Sequence, residues 1–190
     1  MYVRINHYDG EGPVNYGDTA LLTWGCPESA TAAYIGTSGS NYEAVQKAGS
    51  LTTKVIKSEQ TYWLRCDDAS GNIYTKNVKV NLPNPSLTLT ATGVNSGTAV
   101  SGQVISVDYA SKVTLSWTSE GVSHCAGAKD WEDTSSFTST YGHNKPSSGS
   151  ETTGELTIYP KAKKEYWISC AGFNGDTISK NVFVTVKNPW

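Results

Sequence analysis

Hydrophobic and polar residues alternate with a period of two in several short segments of the chain. In residues 113–117 (VTLSW) apolar side chains face one way and hydroxyl side chains the other, and residues 166–170 (YWISC) and 181–186 (NVFVTV) repeat this pattern. Such alternation is typical of a strand with one buried face. Turn-forming residues separate the segments, as at 70–72 (SGN). The pattern predicts an all-β protein, in which residues 41–49 offer at most one or two helical turns.

The chain also repeats itself. Residues 14–24 (VNYGDTALLTW) align without a gap on residues 107–117 (VDYASKVTLSW), at an offset of 93. Residues 62–85 align on residues 166–189 at an offset of 104, with Tyr-Trp, Cys, Lys-Asn-Val and Asn-Pro in common. A self-similarity of this length indicates a tandem duplication. The larger second offset means that the second copy carries 11 more residues than the first between its matched blocks.

The repeat sets the domain boundary. Residues 82–86 (LPNPS) join the two copies, and their two prolines favour a short extended connector. We therefore predict one domain over residues 1–83 and a second over residues 84–190. Several short strands in a unit of roughly 95 residues fit a sandwich of two antiparallel sheets.

Composition and charge exclude some functions. The chain has 190 residues, with 15 Lys and Arg against 17 Asp and Glu. This balance leaves no global electrostatic footprint for DNA or RNA, so we expect no nucleic-acid partner. Apolar runs stay far below the ~18 residues of a spanning helix, so we expect no membrane insertion. Hydrophobic residues make up 37% of the chain and include 6 Trp, which is enough to build packed cores.

The two blocks of the second copy together resemble a known family. VTLSW, a cysteine eight residues later, YWISC, NGD and KNVFVTV are similar to bacterial and phage immunoglobulin-like domains. The resemblance implies two tandem immunoglobulin-like β-sandwiches, which in such proteins serve as spacers or binding modules. The first copy departs from the pattern, because it has Ala32 where the second has Cys125 and carries Cys26 instead.

Each copy contains two cysteines, and four cysteines allow three pairings. Cys26 lies on an apolar strand face, so we expect it to meet Cys66 across the two sheets. Cys125 belongs to the strand after the repeated tryptophan, so we expect its bridge to Cys170 to join neighbouring strands. The alternative is four reduced, buried cysteines. Bridges would indicate an oxidising compartment or an extracellular particle.

Catalytic and metal-binding patterns are weak. The three histidines do not accompany a nucleophile elbow, and the cysteines are better explained as bridges. Carboxylates at 67–68 and 132–133 are adjacent in sequence and would point to opposite faces of a strand. No cysteine and histidine spacing matches a zinc site, and the acidic turns lack a calcium-loop pattern. We predict a non-enzyme without metal or cofactor.

The best binding candidate is the segment 128–154, to which the sequence assigns the extra residues of the second copy. It is rich in hydroxyl residues and interleaves aromatic and acidic side chains, as loops that contact sugars or proteins do. The residues expected to contact a ligand are Asp130, Trp131, Asp133, Tyr141 and His143. The alternative is that Trp131 folds back over the sandwich. Trp63 and Trp167 are out of phase with the buried face of their strands, and either cover the outer face or form a binding platform.

These observations favour a non-catalytic structural or adhesive module of a bacterial or phage surface protein. It would be a spacer, or a subunit that assembles with other copies of itself or with other domains through exposed strand edges. The alternative is a carbohydrate- or receptor-binding module that uses residues 128–154. The expected location is extracellular, at a cell surface or on a virion surface.

Overall fold

A computed structural model describes residues 1–37, 41–133, 143–157 and 163–187, without the side chains of residues 132, 133 and 143. Their regular structure consists of β-strands and one short 3-10 helix. The chain divides into two compact units, Met1–Pro83 (domain 1) and Asn84–Trp190 (domain 2). Among the described residues, no helix has the length and apolar character needed to cross a bilayer.

Domain 1 is a sandwich of two sheets. One sheet has the strand order β2-β1-β4-β7 and the other β3-β9-β8-β5-β6. The strands are β1 (Tyr2–Ile5), β2 (Tyr8–Asp9), β3 (Glu11–Pro13), β4 (Leu21–Gly25), β5 (Ala30–Gly36), β6 (Tyr42–Val45), β7 (Ala48–Thr52), β8 (Gln60–Asp68) and β9 (Ile73–Asn81). The segment with the weak helical pattern, residues 41–49, forms β6 and the start of β7, so that expectation is wrong.

Domain 2 repeats this arrangement. Its sheets have the orders β11-β10-β13-β16 and β12-β18-β17-β14-β15. The strands are β10 (Ser86–Gly93), β11 (Gly97–Val100), β12 (Val104–Val107), β13 (Val113–Glu120), β14 (Val122–Lys129), β15 (His143–Lys145), β16 (Ser148–Thr152), β17 (Lys164–Gly172) and β18 (Thr177–Val186). The 3-10 helix η1 (Asp130–Asp133) follows β14.

The all-β fold of two tandem immunoglobulin-like sandwiches is confirmed, with one refinement. The first strand of each five-stranded sheet runs parallel to the last strand of its domain, β3 beside β9 and β12 beside β18. The other pairings of the described strands are antiparallel. Period-two alternation predicts strands but carries no information about their direction, which is why the parallel edges were not foreseen.

Inner faces of the central strands form the cores. Along β17, Tyr166, Ile168 and Cys170 are buried and the residues between them are partly exposed, as the alternating pattern predicts. Val182 and Val184 of β18 complete this side of the domain 2 core, in register with β17. Burial of a side chain of this size contributes roughly 1.5–3 kcal/mol, so one strand face supplies much of the stability of a small domain.

Each domain contains one disulfide, and the two bridges differ in kind. Cys26–Cys66 links the residue after β4 to β8 and therefore joins the two sheets of domain 1. Cys125–Cys170 links directly paired residues of β14 and β17, within one sheet of domain 2, with a Cα–Cα distance of 4.0 Å. Both bridges follow the pairing that the sequence predicts. None of the four cysteines is free.

A tryptophan facing a glycine is common to both cores. Trp24 pairs with Gly49 across β4 and β7, and Trp117 pairs with Gly149 across β13 and β16. A Cβ atom added at either glycine would lie within 3.0 Å of the indole ring. The indole N–H of Trp24 donates to the carbonyl of Gln46 at 2.9 Å, and that of Trp117 donates to the equivalent carbonyl at 2.9 Å. These carbonyls lie on the crossings from β6 to β7 and from β15 to β16.

Two threonines locate the extra residues of domain 2. Thr53 exchanges two hydrogen bonds with Ala20, at 2.8 and 2.9 Å, and Thr153 does the same with Val113, at 2.9 and 3.0 Å. The threonines are 100 residues apart, whereas Ala20 and Val113 are 93 apart. Seven extra residues therefore precede Thr153 and the other four lie between β16 and β17. The expectation that all 11 fall in residues 128–154 is wrong.

A left-handed residue occupies the same turn in both domains. The backbone N–H of Gly17 donates to the carbonyl of Ile56 at 2.8 Å, and that of Ala110 donates to the carbonyl of Leu156 at 3.1 Å. The φ angles are 89° at Gly17 and 58° at Ala110. A left-handed conformation costs a residue with a Cβ about 1–2 kcal/mol, so Ala110 is strained where Gly17 is not.

We expect Ala110→Gly to raise the free energy of unfolding of domain 2 by about 1 kcal/mol. Relief of the strain exceeds the extra unfolded-state entropy of glycine, which is about 0.5–1 kcal/mol. Urea denaturation of the whole chain, followed by tryptophan fluorescence, measures this change. The matched variant Gly17→Ala should destabilise domain 1 by a similar amount, and a loss of stability in Ala110→Gly would contradict the assignment of strain.

Candidate recognition site

The described part of the predicted binding segment turns inward. Trp131, in η1, is 0% exposed and belongs to the core of domain 2. The carboxylate of Asp130 accepts a hydrogen bond from the backbone N–H of Glu165 at 2.6 Å, which ties η1 to the start of β17. Asp133 ends η1 and His143 begins β15, but their side chains lie outside the described part of the structure. Tyr141 lies outside it altogether.

Trp131 packs among aromatic rings. Its ring centroid lies 5.7 Å from that of Trp117 and 6.1 Å from that of Tyr166, with both pairs edge-to-face. Gly127 provides the space, because a Cβ there would lie 2.9 Å from the indole. No ring face of Trp131 is open to solvent, so the expectation that a ligand stacks on it is corrected. Trp131 does not fit the alternating pattern of any strand, so the sequence leaves open whether its side chain lies on a surface loop or in the core.

A buried ion pair that sequence reasoning missed lies beside Trp131. Lys145 Nζ is 2.6 Å from Oε1 and Oε2 of Glu151, and the two side chains are 1% and 15% exposed. Glu151 also accepts a hydrogen bond from the indole N–H of Trp131 at 2.8 Å. The ammonium lies 5.1 Å from the Trp131 ring centroid and 5.9 Å from that of Trp117. Because both side chains are buried and bound to each other, neither charge is available to a ligand.

Domain 1 has apolar residues at the same places. Lys145 pairs in register with Cys125. The position equivalent to Cys125 is Ala33 and not, as the sequence alignment predicts, Ala32, because Ala33 pairs with Cys66 as Cys125 pairs with Cys170. The residue opposite Ala33 is Val45. Glu151 pairs with Leu115, and the equivalent position, opposite Leu22, is Leu51. Leu51 is 52% exposed. The interior between the two edge strands is therefore polar and closed in domain 2, and apolar and more open in domain 1.

A second candidate site lies on the outer face of the five-stranded sheet of domain 1. Tyr62, Leu64 and Cys66 of β8 point inward, so the residues between them point outward. Register places Tyr34 beside Arg65, and Gly36 between Trp63 and Tyr42. We name this group the aromatic face, and its members are Tyr34, Tyr42, Trp63, Arg65 and Asp67.

An arginine held by a carboxylate lies at the centre of the aromatic face. Arg65 Nε and Nη2 donate to the two oxygens of Asp67, each at 2.8 Å. The guanidinium carbon lies 5.5 Å from the ring centroid of Tyr34. Hydrogen bonding to Asp67 raises the pKa of Arg65 above its ordinary value, and the guanidinium stays charged in any case. The bidentate contact fixes its orientation.

The equivalent outer face of domain 2 has smaller side chains at three of these positions. Trp167 and Asn181 repeat Trp63 and Asn77 of domain 1, paired in the same register. The positions equivalent to Tyr34, Arg65 and Asp67 hold Ala126, Ser169 and Ala171. Trp63 and Trp167 are both half-buried. A further ring on this face of domain 2 is Phe183 of β18, whose centroid lies 3.5 Å from Lys163 Nζ. The sequence signal for the aromatic face was the phase of Trp63, which alternation places opposite the core.

Metal chemistry finds no support in the part of the chain that the structure describes. No group of three or more His, Cys, Asp or Glu side chains in these residues could hold a metal ion.

Comparisons with known proteins give similarity in fold at low scores. No protein-family model and no curated protein sequence matches this chain. The titin domains Z1Z2 in complex with telethonin are similar over 98% of this chain and 97% of that chain, at 13% identity and a TM-score of 0.38. Fibronectin(III)-like modules of Clostridium thermocellum CbhA are similar over 98% and 95%, at 11% identity and a TM-score of 0.33. Murine CEACAM1b is similar over 97% and 100%, at 13% identity and a TM-score of 0.35. The fold assignment rests on the sheet topology described above.

We expect Trp131→Ala to destabilise domain 2 by about 3–5 kcal/mol, because it empties a fully buried indole site. Thermal unfolding of the whole chain measures the loss. Trp167→Ala, which removes a half-buried ring from the outer face of the same domain, is the control and should cost clearly less. Similar losses in the two variants would show that Trp131 does not pack as described.

The buried ion pair gives a second expected outcome. Lys145→Val leaves Glu151 without its cation and should cost about 3–5 kcal/mol. The double variant Lys145→Val/Glu151→Leu, which introduces the residue types of domain 1, should recover part of that loss. The remainder reflects the indole N–H of Trp131, which loses its Glu151 acceptor. Urea denaturation of the single and double variants gives the coupling between the two residues. Losses that simply add would show that the two side chains do not act as a pair.

Proposed function

We propose that this chain is a non-catalytic structural and adhesive module of a bacterial or phage surface protein, acting at a cell surface or on a virion. The observation that carries the proposal is the difference between the two copies of one sandwich. At the outward positions equivalent to Tyr34, Arg65 and Asp67, domain 2 has small residues. Domain 1 therefore adds a tyrosine and an Arg–Asp pair, next to Tyr42, to the tryptophan that both domains carry on this face. The core does not require side chains at outward positions, so this concentration of aromatic residues supports a contact surface.

The disulfides support a place outside the reducing cytoplasm. Each domain has its own bridge to the equivalent cysteine of β8 or β17, although the other cysteine differs in position between the copies. The sequence separations of 40 and 45 residues correspond to a stabilisation of about 3–4 kcal/mol for each bridge in the chain-entropy model. Bridges of this kind form and persist in oxidising environments.

A second candidate role is that of an assembly subunit, and it rests on strand β7. This edge strand has five exposed residues, Ala-Gly-Ser-Leu-Thr, with neither charge nor proline. Unprotected edges of this length can accept a strand from another chain. The equivalent edge strand β16 instead carries Glu151 with its carboxylate turned inward to Lys145, a device that disfavours edge pairing.

Adhesion tests the proposal directly. Beads coated with the oxidised whole chain should bind at least one surface in a panel of bacterial and eukaryotic cells. The double variant Tyr34→Ala/Tyr42→Ala should reduce the number of bound beads at least fivefold, because it removes two of the three rings of the aromatic face. The matched control is Trp167→Ala/Ser169→Ala, which alters the outer face of domain 2 and should leave adhesion unchanged.

The mass of the free chain, measured by light scattering over a range of concentrations, separates the two roles. Adhesion by a chain that stays monomeric supports the adhesive module. Growth in mass without adhesion would favour the assembly subunit. A monomeric chain that binds no surface would contradict both.

A further inference from the structure

We propose that the aromatic face of domain 1 binds a neutral, hexose-based glycan. This inference rests on the adhesive role proposed above and names the class of its ligand. The sugar would stack its C–H face on the rings of Trp63, Tyr42 and Tyr34, and its hydroxyl groups would hydrogen-bond to polar groups around them.

Register places the three aromatic residues on one face of three neighbouring strands. Trp63 on β8, Gly36 on β5 and Tyr42 on β6 lie in one row, and Tyr34 is two residues before Gly36 on the same side of β5. Gly36 is buried although it is on the outer face, and it has no side chain to separate Trp63 from Tyr42. Register thus places three aromatic residues on neighbouring strands of one face, and we call their rings the aromatic platform.

The charges on this face are already neutralised. Arg65 is bound by both oxygens of Asp67. Lys79, farther along the same face on β9, pairs with Glu59 at 2.9 Å. Neither cation is left to attract an anion, and the Arg–carboxylate pair presents equal and opposite charges. A polyanion such as a nucleic acid or an acidic polysaccharide would find no net attraction here, whereas a neutral ligand has no charge to desolvate.

Hydrogen-bonding groups surround the platform. Asn77 is exposed and in register with Trp63, and its amide has no partner among the described residues. The same holds for the hydroxyl groups of Tyr34 and Tyr42. Asp67 uses its two oxygens on Arg65 and keeps further acceptor capacity. Alternating donors and acceptors beside stacked rings match the hydroxyl groups of a sugar and would fix its orientation.

The size of the platform favours a sugar over a protein partner. An aromatic side chain has ~150–250 Å² of surface, so three half-buried rings expose on the order of 200 Å² together. A stable protein–protein interface needs about 800 Å² on each partner. The exposed aromatic area is nearer to what one or two sugar rings would cover. On the described outer face of domain 2, small residues stand in place of Tyr34, Arg65 and Asp67, so one site in each chain is expected.

The test is affinity gel electrophoresis of the whole oxidised chain in four soluble neutral polysaccharides: dextran, laminarin, mannan and xyloglucan. At least one should retard the chain, and Trp63→Ala should weaken that binding at least tenfold. Trp167→Ala, the same substitution at the equivalent position of domain 2, should change it less than twofold. Binding should also change less than twofold on addition of 0.5 M NaCl, because no net charge contributes to it.

Retardation by none of the four would overturn the inference, as would equal losses in the two tryptophan variants. Binding confined to alginate, run as the anionic comparison, and abolished by salt would overturn it as well. Circular dichroism checks that each variant folds. If Trp63→Ala does not fold, Tyr42→Ala on the edge strand β6 replaces it, with the same tenfold loss expected.

Adhesion of the coated beads separates failure of the ligand class from failure of the proposed function. Adhesion that is lost in Trp63→Ala, but persists on cells treated with periodate and disappears after protease treatment, would show that the platform contacts a protein. The adhesive role would then stand and the glycan inference would fail. Polysaccharide binding without adhesion to any cell would support the glycan site and contradict the adhesive role.

Discussion

Each sandwich depends on a tryptophan that connects its two sheets at the point where the chain crosses between them. Trp24 packs against Gly49 of the neighbouring strand and donates its indole N–H to the carbonyl of Gln46, on the crossing between β6 and β7. Trp117 and Gly149 repeat the arrangement in domain 2. A buried indole needs a partner for its N–H, and here that partner is the backbone of the crossing itself. One side chain thereby packs against the neighbouring strand and holds the connection that leads into it.

The two domains share this arrangement of strands and tryptophan but fill the interior beside the tryptophan with different side chains. In domain 2 the interior beside Trp117 holds Trp131 and the Lys145–Glu151 pair, so polar groups are buried and their hydrogen bonds are made inside the core. In domain 1 the equivalent interior positions are apolar, and Leu51 remains half exposed. Buried ion pairs add little net stability compared with apolar packing, but they penalise arrangements that separate the charges. The inward-turned carboxylate of Glu151 therefore also protects the edge strand β16 of domain 2 from pairing with another chain. The equivalent strand β7 of domain 1, of the same length, has no such charge.

Sequence reasoning was most successful where a physical constraint acts on neighbouring residues. Alternation predicts the strands, and the phase of Trp63 places its side chain on the outer face. Cys26 and Cys66 could be paired because both lie on apolar faces of strands in a duplicated unit. The tandem repeat gave the expected division between domains without reference to their contacts.

Constraints between distant residues could not be derived in this way. Trp131 lies in a polar segment with no period, and its burial depends on the missing Cβ of Gly127 on another element. Lys145 and Glu151 are residue types that usually lie on the surface. They meet only because β15 pairs with β14 and β16 pairs with β13 in registers that turn both side chains inward. Residues 41–49 show a weak helical period, yet tertiary pairing with β5 and β4 makes them strands. Local propensity is a weak guide when a sheet edge is available.

A duplicated sandwich separates the requirements of folding from those of recognition. Successive residues of a strand point to opposite faces, so Tyr62, Leu64 and Cys66 can maintain a core while Trp63, Arg65 and Asp67 vary independently. The two copies illustrate this separation, because Tyr166, Ile168 and Cys170 repeat the inner set closely. The outer set keeps only its tryptophan. A change at an outer position costs little in packing, which is the physical reason that one copy can carry an aromatic binding surface while the other keeps a plain one.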